Sequence, residues 1–212
     1  MNEPSLSAKK PATIRGKRTR QHLLDAAELV FGERGFEHTS ISEITRRAGV
    51  ALGTFYIYFP HKQAIFTELV DELGERLRET LSEAVRGKGG TRLDKERAGF
   101  RAFFVFAGKH RNLYRIVRQA EFVDEAVYHR YYRRLATAYA RGLTRAMERN
   151  EIGKFDPEVI AYCLMGMADM VGMRFVIWDS PERLEAVVDE VFELISHGLL
   201  SPNRAPKTET KP

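Results

Sequence analysis

Apolar residues recur along most of this chain at intervals of three and four, the spacing that places them on one face of an α-helix. Leu23, Ala27, Val30 and Phe31 form the first such stripe, and Gly35 followed by Phe36 closes it as a glycine cap with an apolar contact beyond. Ser40 and Glu43 have the spacing of a capping box, and Ile41, Ile44, Thr45 and Ala48 then line one side of a short helix. Gly49 supplies the left-handed residue that ends it, and Val50 plugs the corner. Over residues 52–59, Phe55 and Phe59 face inward, leaving Leu52, Gly53, Thr54, Tyr56 and Tyr58 outside. After Pro60, Phe66, Leu69, Val70, Leu73, Leu77 and Leu81 predict a helix of about 24 residues that runs toward the glycine-rich stretch 87–90.

The second half continues the helical pattern. Phe100, Phe103, Phe104 and Ala107 mark one helix and residues 113–122 another, both strongly aromatic. Tyr128, Tyr132, Leu135, Tyr139, Leu143 and Ala146 form the stripe of a long helix over 124–149. Asp156 before Pro157 reads as an N-cap with proline at the first helical position, opening a helix that reaches Trp178. A final helix follows Ser180 and Pro181 and ends near Gly198. Alternating strand patterns are absent, so the expected fold is all-α with about nine helices. The expected organisation is a flexible basic arm over 1–17, a helix-turn-helix DNA-binding domain over 18–64, an effector-binding and dimerisation domain over 65–200 and a disordered tail over 201–212.

The stretch from Thr19 to about Val70 resembles the TetR family of transcriptional regulators. The resemblance rests on Leu24, Ala26, Ala27 and Phe31, then Gly35-Phe36, Thr39-Ser40, Ala48-Gly49-Val50, Gly53-Thr54-Phe55-Tyr56 and Tyr58-Phe59-Pro60-His61-Lys62. A lone helix-turn-helix pattern is a weak signal, but here it stands in order between an amphipathic helix and a long one. Beyond about residue 90 the resemblance is architectural only. It implies that the second short helix enters a major groove, where base edges carry distinct donor, acceptor and methyl patterns. Thr54 and Leu52 then meet bases, Gly53 lets the backbone approach, and Tyr56, Tyr58 and Lys62 work largely on phosphate. Ser40 and Ser42, at the start of the supporting helix, either contact DNA or, for Ser40, simply cap.

Composition fits two units: 212 residues and 24.3 kDa suffice for a small DNA-binding module and a helical domain with its own core. The net charge of +5 is modest, but its placement matters. Lys9, Lys10, Arg15, Lys17, Arg18 and Arg20 precede the first apolar stripe in an acid-free run. That run is either a solvated tail or a phosphate-contacting arm, with Arg18 and Arg20 its most favourably placed members. No run approaches 18 consecutive apolar residues, so a cytoplasmic location without membrane contact is expected. The single cysteine, Cys163, lies in an apolar pattern as a small hydrophobe and offers no metal-binding pair. No metal site or cofactor is expected, and scattered histidines with no His-Glu-x-x-His run argue against an enzyme.

One reading head covers too few base pairs to locate a gene, since each base discriminates by only about 1 to 3 kcal/mol. A homodimer on a double-stranded palindromic operator supplies the rest, and the resemblance implies a four-helix contact built from the last two helices. Cys163, Met167, Val171, Leu184, Val188, Val191 and Ile195 are its expected residues. A small-molecule effector would change the separation of the heads. Its expected contacts are Phe103, Phe106, Tyr114, Arg118, Phe122, Tyr128, Tyr132, Met170, Arg174 and Trp178. Arginines on the helices after residue 110 either pair with the acidic stripe Glu68, Glu72, Glu75, Glu79 and Glu83 or bind an anionic head, as in a fatty acyl-CoA. The expected function is thus a ligand-responsive repressor; the competing reading is a constitutive DNA-binding architectural or scaffold protein.

Overall fold

The computed structural model describes residues 13–86, 90–178 and 183–199. Within them the chain forms nine α-helices and no strand. These are α1 (Ile14–Arg34), α2 (Ile41–Ala48), α3 (Leu52–Tyr58), α4 (Lys62–Val85), α5 (Arg92–Lys109), α6 (Leu113–Val123), α7 (Glu125–Glu148), α8 (Pro157–Gly172) and α9 (Leu184–Leu199). A π-helical turn, Met173–Trp178, continues α8. Residues 1–12 of the expected arm, the glycines at 87 and 89, the Ser180-Pro181 helix start and the tail over 201–212 lie outside the described residues.

α1 starts earlier than the apolar pattern suggests. The Thr13 hydroxyl accepts the Gly16 N–H at 3.1 Å, so residues 14–17, placed in a flexible arm above, form the first turn of the helix. Its first turns are polar and exposed, which is why periodicity does not mark them. Gly35, at φ 80°, ends α1. The Ser40 hydroxyl accepts the Glu43 N–H at 3.2 Å, while the Glu43 carboxylate turns to Arg34 at 2.8 Å. Gly49 takes φ 67° and ψ 32°, and Val50 N–H returns to the Thr45 carbonyl at 3.0 Å.

The described residues of Met1–Leu77 and Lys109–Arg133 make one compact unit, those of Arg78–Gly108 and Arg134–Pro212 a second. The division departs from a single boundary near residue 64, because α6 docks on α1 within the first unit. Four polar contacts hold it there. His110 Nδ1 lies 3.0 Å from Glu28 Oε1, Asn112 donates to the Glu28 carbonyl at 3.4 Å, Arg115 to the Gly32 carbonyl at 2.9 Å, and Gln119 accepts the Phe36 N–H at 2.5 Å. The core of this unit joins Leu23, Ala27, Phe31, Ile44, Phe55, Phe59, Ile65, Phe66 and Leu69, all essentially inaccessible. Phe66 sits edge-on to both Phe31 and Phe36, with centroids 5.1 and 5.0 Å away.

In the second unit the core gathers Phe100, Phe104, Leu143, Ala146, Ala161, Leu164, Val187, Val188 and Ile195. A buried polar cluster accompanies it: Glu96 pairs with Arg92 and accepts the Tyr139 hydroxyl. Asp156 caps α8 as expected, its Oδ1 accepting the N–H groups of Glu158 and Val159 at 2.8 and 3.1 Å. On α7 the buried positions are Val127, Tyr131, Ala136, Leu143 and Ala146. The expected stripe is therefore displaced by one residue at its start, and Tyr131 rather than Tyr128 or Tyr132 turns inward, against Gly74.

Candidate nucleic-acid interface

α3 is anchored from one side only. Phe55 is inaccessible, and Phe59, just past the helix in extended backbone, is inaccessible too. Other positions of the helix are open to solvent: Leu52 is 48% exposed, Tyr56 54% and Ile57 64%, with Gly53 also exposed, while Thr54 and Tyr58 are half-buried. A short helix whose apolar and phenolic side chains point outward is shaped for a groove rather than for its own core. Ile57 did not figure among the reading residues expected from the sequence; its position two residues past Phe55 was the available signal.

The supporting residues divide. Ser42 and Arg18 are exposed, whereas Ser40 spends its hydroxyl on capping α2. Lys62 departs from the expected phosphate role. Its Nζ donates to the Phe36 and Glu37 carbonyls at 2.7 and 3.3 Å and lies 4.4 Å from the centroid of the Phe36 ring. It ties the start of α4 to the turn after α1. Arg20 departs likewise: it pairs with Glu68, lies over the Phe59 ring at 5.3 Å, and burial lowers its pKa. Arg20 lies one turn before Leu23 on the stripe's own face, where α4 brings a carboxylate to it.

The effector set falls in both units. Tyr114, Arg118, Phe122, Tyr128 and Tyr132 belong to the first, Phe103, Phe106, Met170, Arg174 and Trp178 to the second. In the first, Tyr128 meets Tyr132 edge-on at 5.0 Å and Tyr114 is buried, but Phe122 is 87% exposed and walls no cavity within the chain. Helix α6 turns its other face to α1, which leaves Phe122 outside. In the second, Phe106 is buried while Met170 and Trp178 are 57% and 65% exposed. The arginine faces are partly compensated inside the first unit. Arg130 grips Asp71 with two bonds of 3.0 and 2.7 Å, and Arg115 takes the Gly32 carbonyl, while Glu68 and Glu72 turn to Arg20, Arg76 and Gln21.

Of the expected dimer residues, Val188 and Ile195 are 1% and 3% exposed and belong to the core of their own unit, a correction. On α9 they join a core cluster that also holds residues of α5, α7 and α8. Met167, Val171, Leu184 and Val191 are half-buried against that core. Cys163, expected as a buried hydrophobe, is exposed. Pro157–Trp178 is long and apolar enough by length and composition to cross a membrane, yet only 28% of its most apolar window is buried within the chain.

Residues 23–69 match the model of the bacterial regulatory proteins of the tetR family. Over this stretch the chain carries the DNA-binding module of the TetR family. Its similarity to an HTH-type transcriptional regulator of Bacillus subtilis, YdgC, is 29% identity over 196 residues, 88% of this chain and 95% of that protein. The fatty acid metabolism regulator protein of the same organism is 28% identical over 186 residues, 84% of this chain and 93% of the relative. A TetR-like transcriptional regulator from Rhodococcus superposes with a TM-score of 0.69 at 27% identity, over 90% of this chain and 98% of that one. The FadR regulator of Bacillus subtilis, solved with stearoyl-CoA, shares the fold at a TM-score of 0.74 and 24% identity, over 84% and 98% of the two chains. A chain carrying this module is a DNA-binding transcriptional regulator.

Proposed function

We propose that the protein is a repressor that binds a palindromic operator as a homodimer and leaves it when a fatty acyl-CoA binds. The observation that carries the DNA half is the outward face of α3, where Leu52, Tyr56 and Ile57 stand exposed over an anchor of Phe55 and Phe59. Gly53 and Thr54 complete the reading helix, and half-buried Tyr58 with exposed Ser42 and Arg18 are further DNA contacts in this reading. The dimer half is supported by the apolar but under-buried helix Pro157–Trp178, on which Val159, Tyr162, Cys163 and Met170 stay exposed, and by Leu194 on α9 at 66% exposure. A surface of that kind on a free protomer favours a second copy.

The effector half is supported by the aromatic residues of α5 to α7 and by the similarity to a fatty acid metabolism regulator. Aromatic side chains suit an acyl chain, and Arg118 and Arg174 lie on exposed helix faces suited to an anionic head. Operator selected from random duplex tests the whole reading, titrated with acyl-CoA of graded chain length. Release of operator and a saturable rise in melting temperature with long chains, but not with free coenzyme A, is the expected result. No shift with any chain length overturns the effector assignment, and no selected inverted repeat overturns the operator assignment.

A further inference from the structure

Two residues occupy the centre of the outward face of α3. At 3.6 residues per turn, Gly53 and Ile57 each lie about 160° around the helix from the buried Phe55, one on either side of the line opposite it. They are one turn apart and therefore adjacent on that face. Leu52, by contrast, lies about 60° from Phe55, toward the edge.

Among the described residues nothing asks for a glycine at 53. A Cβ there would meet no atom within 4 Å, and its φ is not among the positive values, which belong to Gly35, Gly49, Gly90 and Asn150. A helical glycine costs up to about 1 kcal/mol relative to alanine, so the fold alone would favour alanine here. Nor does the chain cover Ile57: at 64% exposure its branched side chain stands in water between the exposed Tyr56 and the half-buried Tyr58. A missing side chain beside an uncovered aliphatic one makes a low, apolar strip, flanked by polar groups.

Resting on the DNA-binding reading, we propose that Ile57 is a specificity-determining residue that packs on the 5-methyl group of a thymine, with Gly53 bringing the helix backbone close enough for the contact. Isoleucine has no donor or acceptor, so the one base-edge feature of the major groove it can recognise is that methyl. Adenine, guanine and cytosine carry no methyl there. Each half-site would then carry one thymine whose methyl matters, at symmetric positions.

The experiment uses the full-length chain and an operator selected from a random duplex pool, in which each thymine is replaced in turn by deoxyuridine, removing the methyl and keeping the base pair. Wild type should lose about fourfold in affinity at one symmetric thymine, the worth of burying a methyl-sized group. Ile57→Ala should bind the parent operator more weakly by a similar factor, lose that sensitivity, and keep the salt dependence of wild type. Leu52→Ala should keep the sensitivity. Since Ile57 is exposed, an unchanged melting temperature for Ile57→Ala confirms that folding is intact. The proposal is overturned if no thymine methyl matters to wild type, if the sensitivity survives in Ile57→Ala, or if it vanishes in Leu52→Ala instead. Failure of wild type to select any sequence overturns the DNA-reading assignment along with it, so the two failures are distinct.

Discussion

Arg115 on α6 donates to the main-chain carbonyl of Gly32 on α1 at 2.9 Å, beside the place where a Cβ on Gly32 would fall only 2.0 Å from Asn112 Cγ. The contact falls where α1 is bare, and α6 satisfies two groups that the helix itself leaves open, the Gly32 carbonyl in its last turn and the Phe36 N–H just beyond it. Gly32→Ala should therefore destabilise the first unit by about 1 to 3 kcal/mol, as overpacking at a tight contact does. Pairing it with Asn112→Gly, which also removes the Cβ that would lie 2.4 Å away, should recover part of that loss. Urea denaturation of the single and double variants checks this; a loss that persists unchanged in the pair would place the strain elsewhere.

Lys62→Ala should act on the protein, not on the DNA charge balance. Two carbonyl bonds and a ring contact on Phe36 hold its ammonium, and a bond to a charged group contributes about 1.5 to 3 kcal/mol. Melting temperature should fall, while the slope of log affinity against log salt stays that of wild type. A phosphate-contacting lysine would instead lower the slope by about one on removal. A slope change at constant melting temperature would return Lys62 to the phosphate.

These two residues mark where the sequence is and is not legible. Local chemistry was readable: Ser40 with Glu43, Gly49 and Asp156 before Pro157 announce helix ends because caps act within three or four residues. The inward direction of Phe55 followed from spacing alone. Long-range polar pairing was not readable, since nothing near Lys62 or Arg20 reveals that Phe36 and Glu68 will reach them. Tyrosine periodicity on α7 misled by one residue because a tyrosine tolerates either side of a helix, and only the bare surface at Gly74 selects Tyr131. Apolar residues of α8 and α9 carry no mark telling core from interface, so Val188 and Ile195 could not be separated from exposed Cys163.

That separation has a measurable consequence. Ile195→Ala should destabilise the protomer by about 2 to 5 kcal/mol, since it empties a packed core. Tyr162→Glu and Leu194→Glu change side chains that are 42% and 66% exposed, so helicity should persist. Sedimentation equilibrium should show these two charged variants as monomers at concentrations where wild type is a dimer. Dimers as tight as wild type in both variants would move the interface off this face.

Stability should also carry a pH signature from Glu96. Burial pushes its carboxyl up, outweighing the attraction of the Arg92 guanidinium and the bond from the Tyr139 hydroxyl, whose own pKa is pushed well above the usual phenol value by the same burial. A carboxyl with a folded pKa above its unfolded one holds its proton longer in the native state. Its stabilising contribution is then complete below the ordinary carboxylate value and is lost as pH rises through the raised one. Glu96→Gln keeps a neutral acceptor for Tyr139 and cannot titrate. Measured by calorimetry from about pH 4 upward, wild type should lose stability relative to Glu96→Gln, by about 1.4 kcal/mol for each unit separating the two pKa values. The opposite trend, with wild type gaining on the variant as pH rises, would mean that Arg92 holds Glu96 ionised despite its burial.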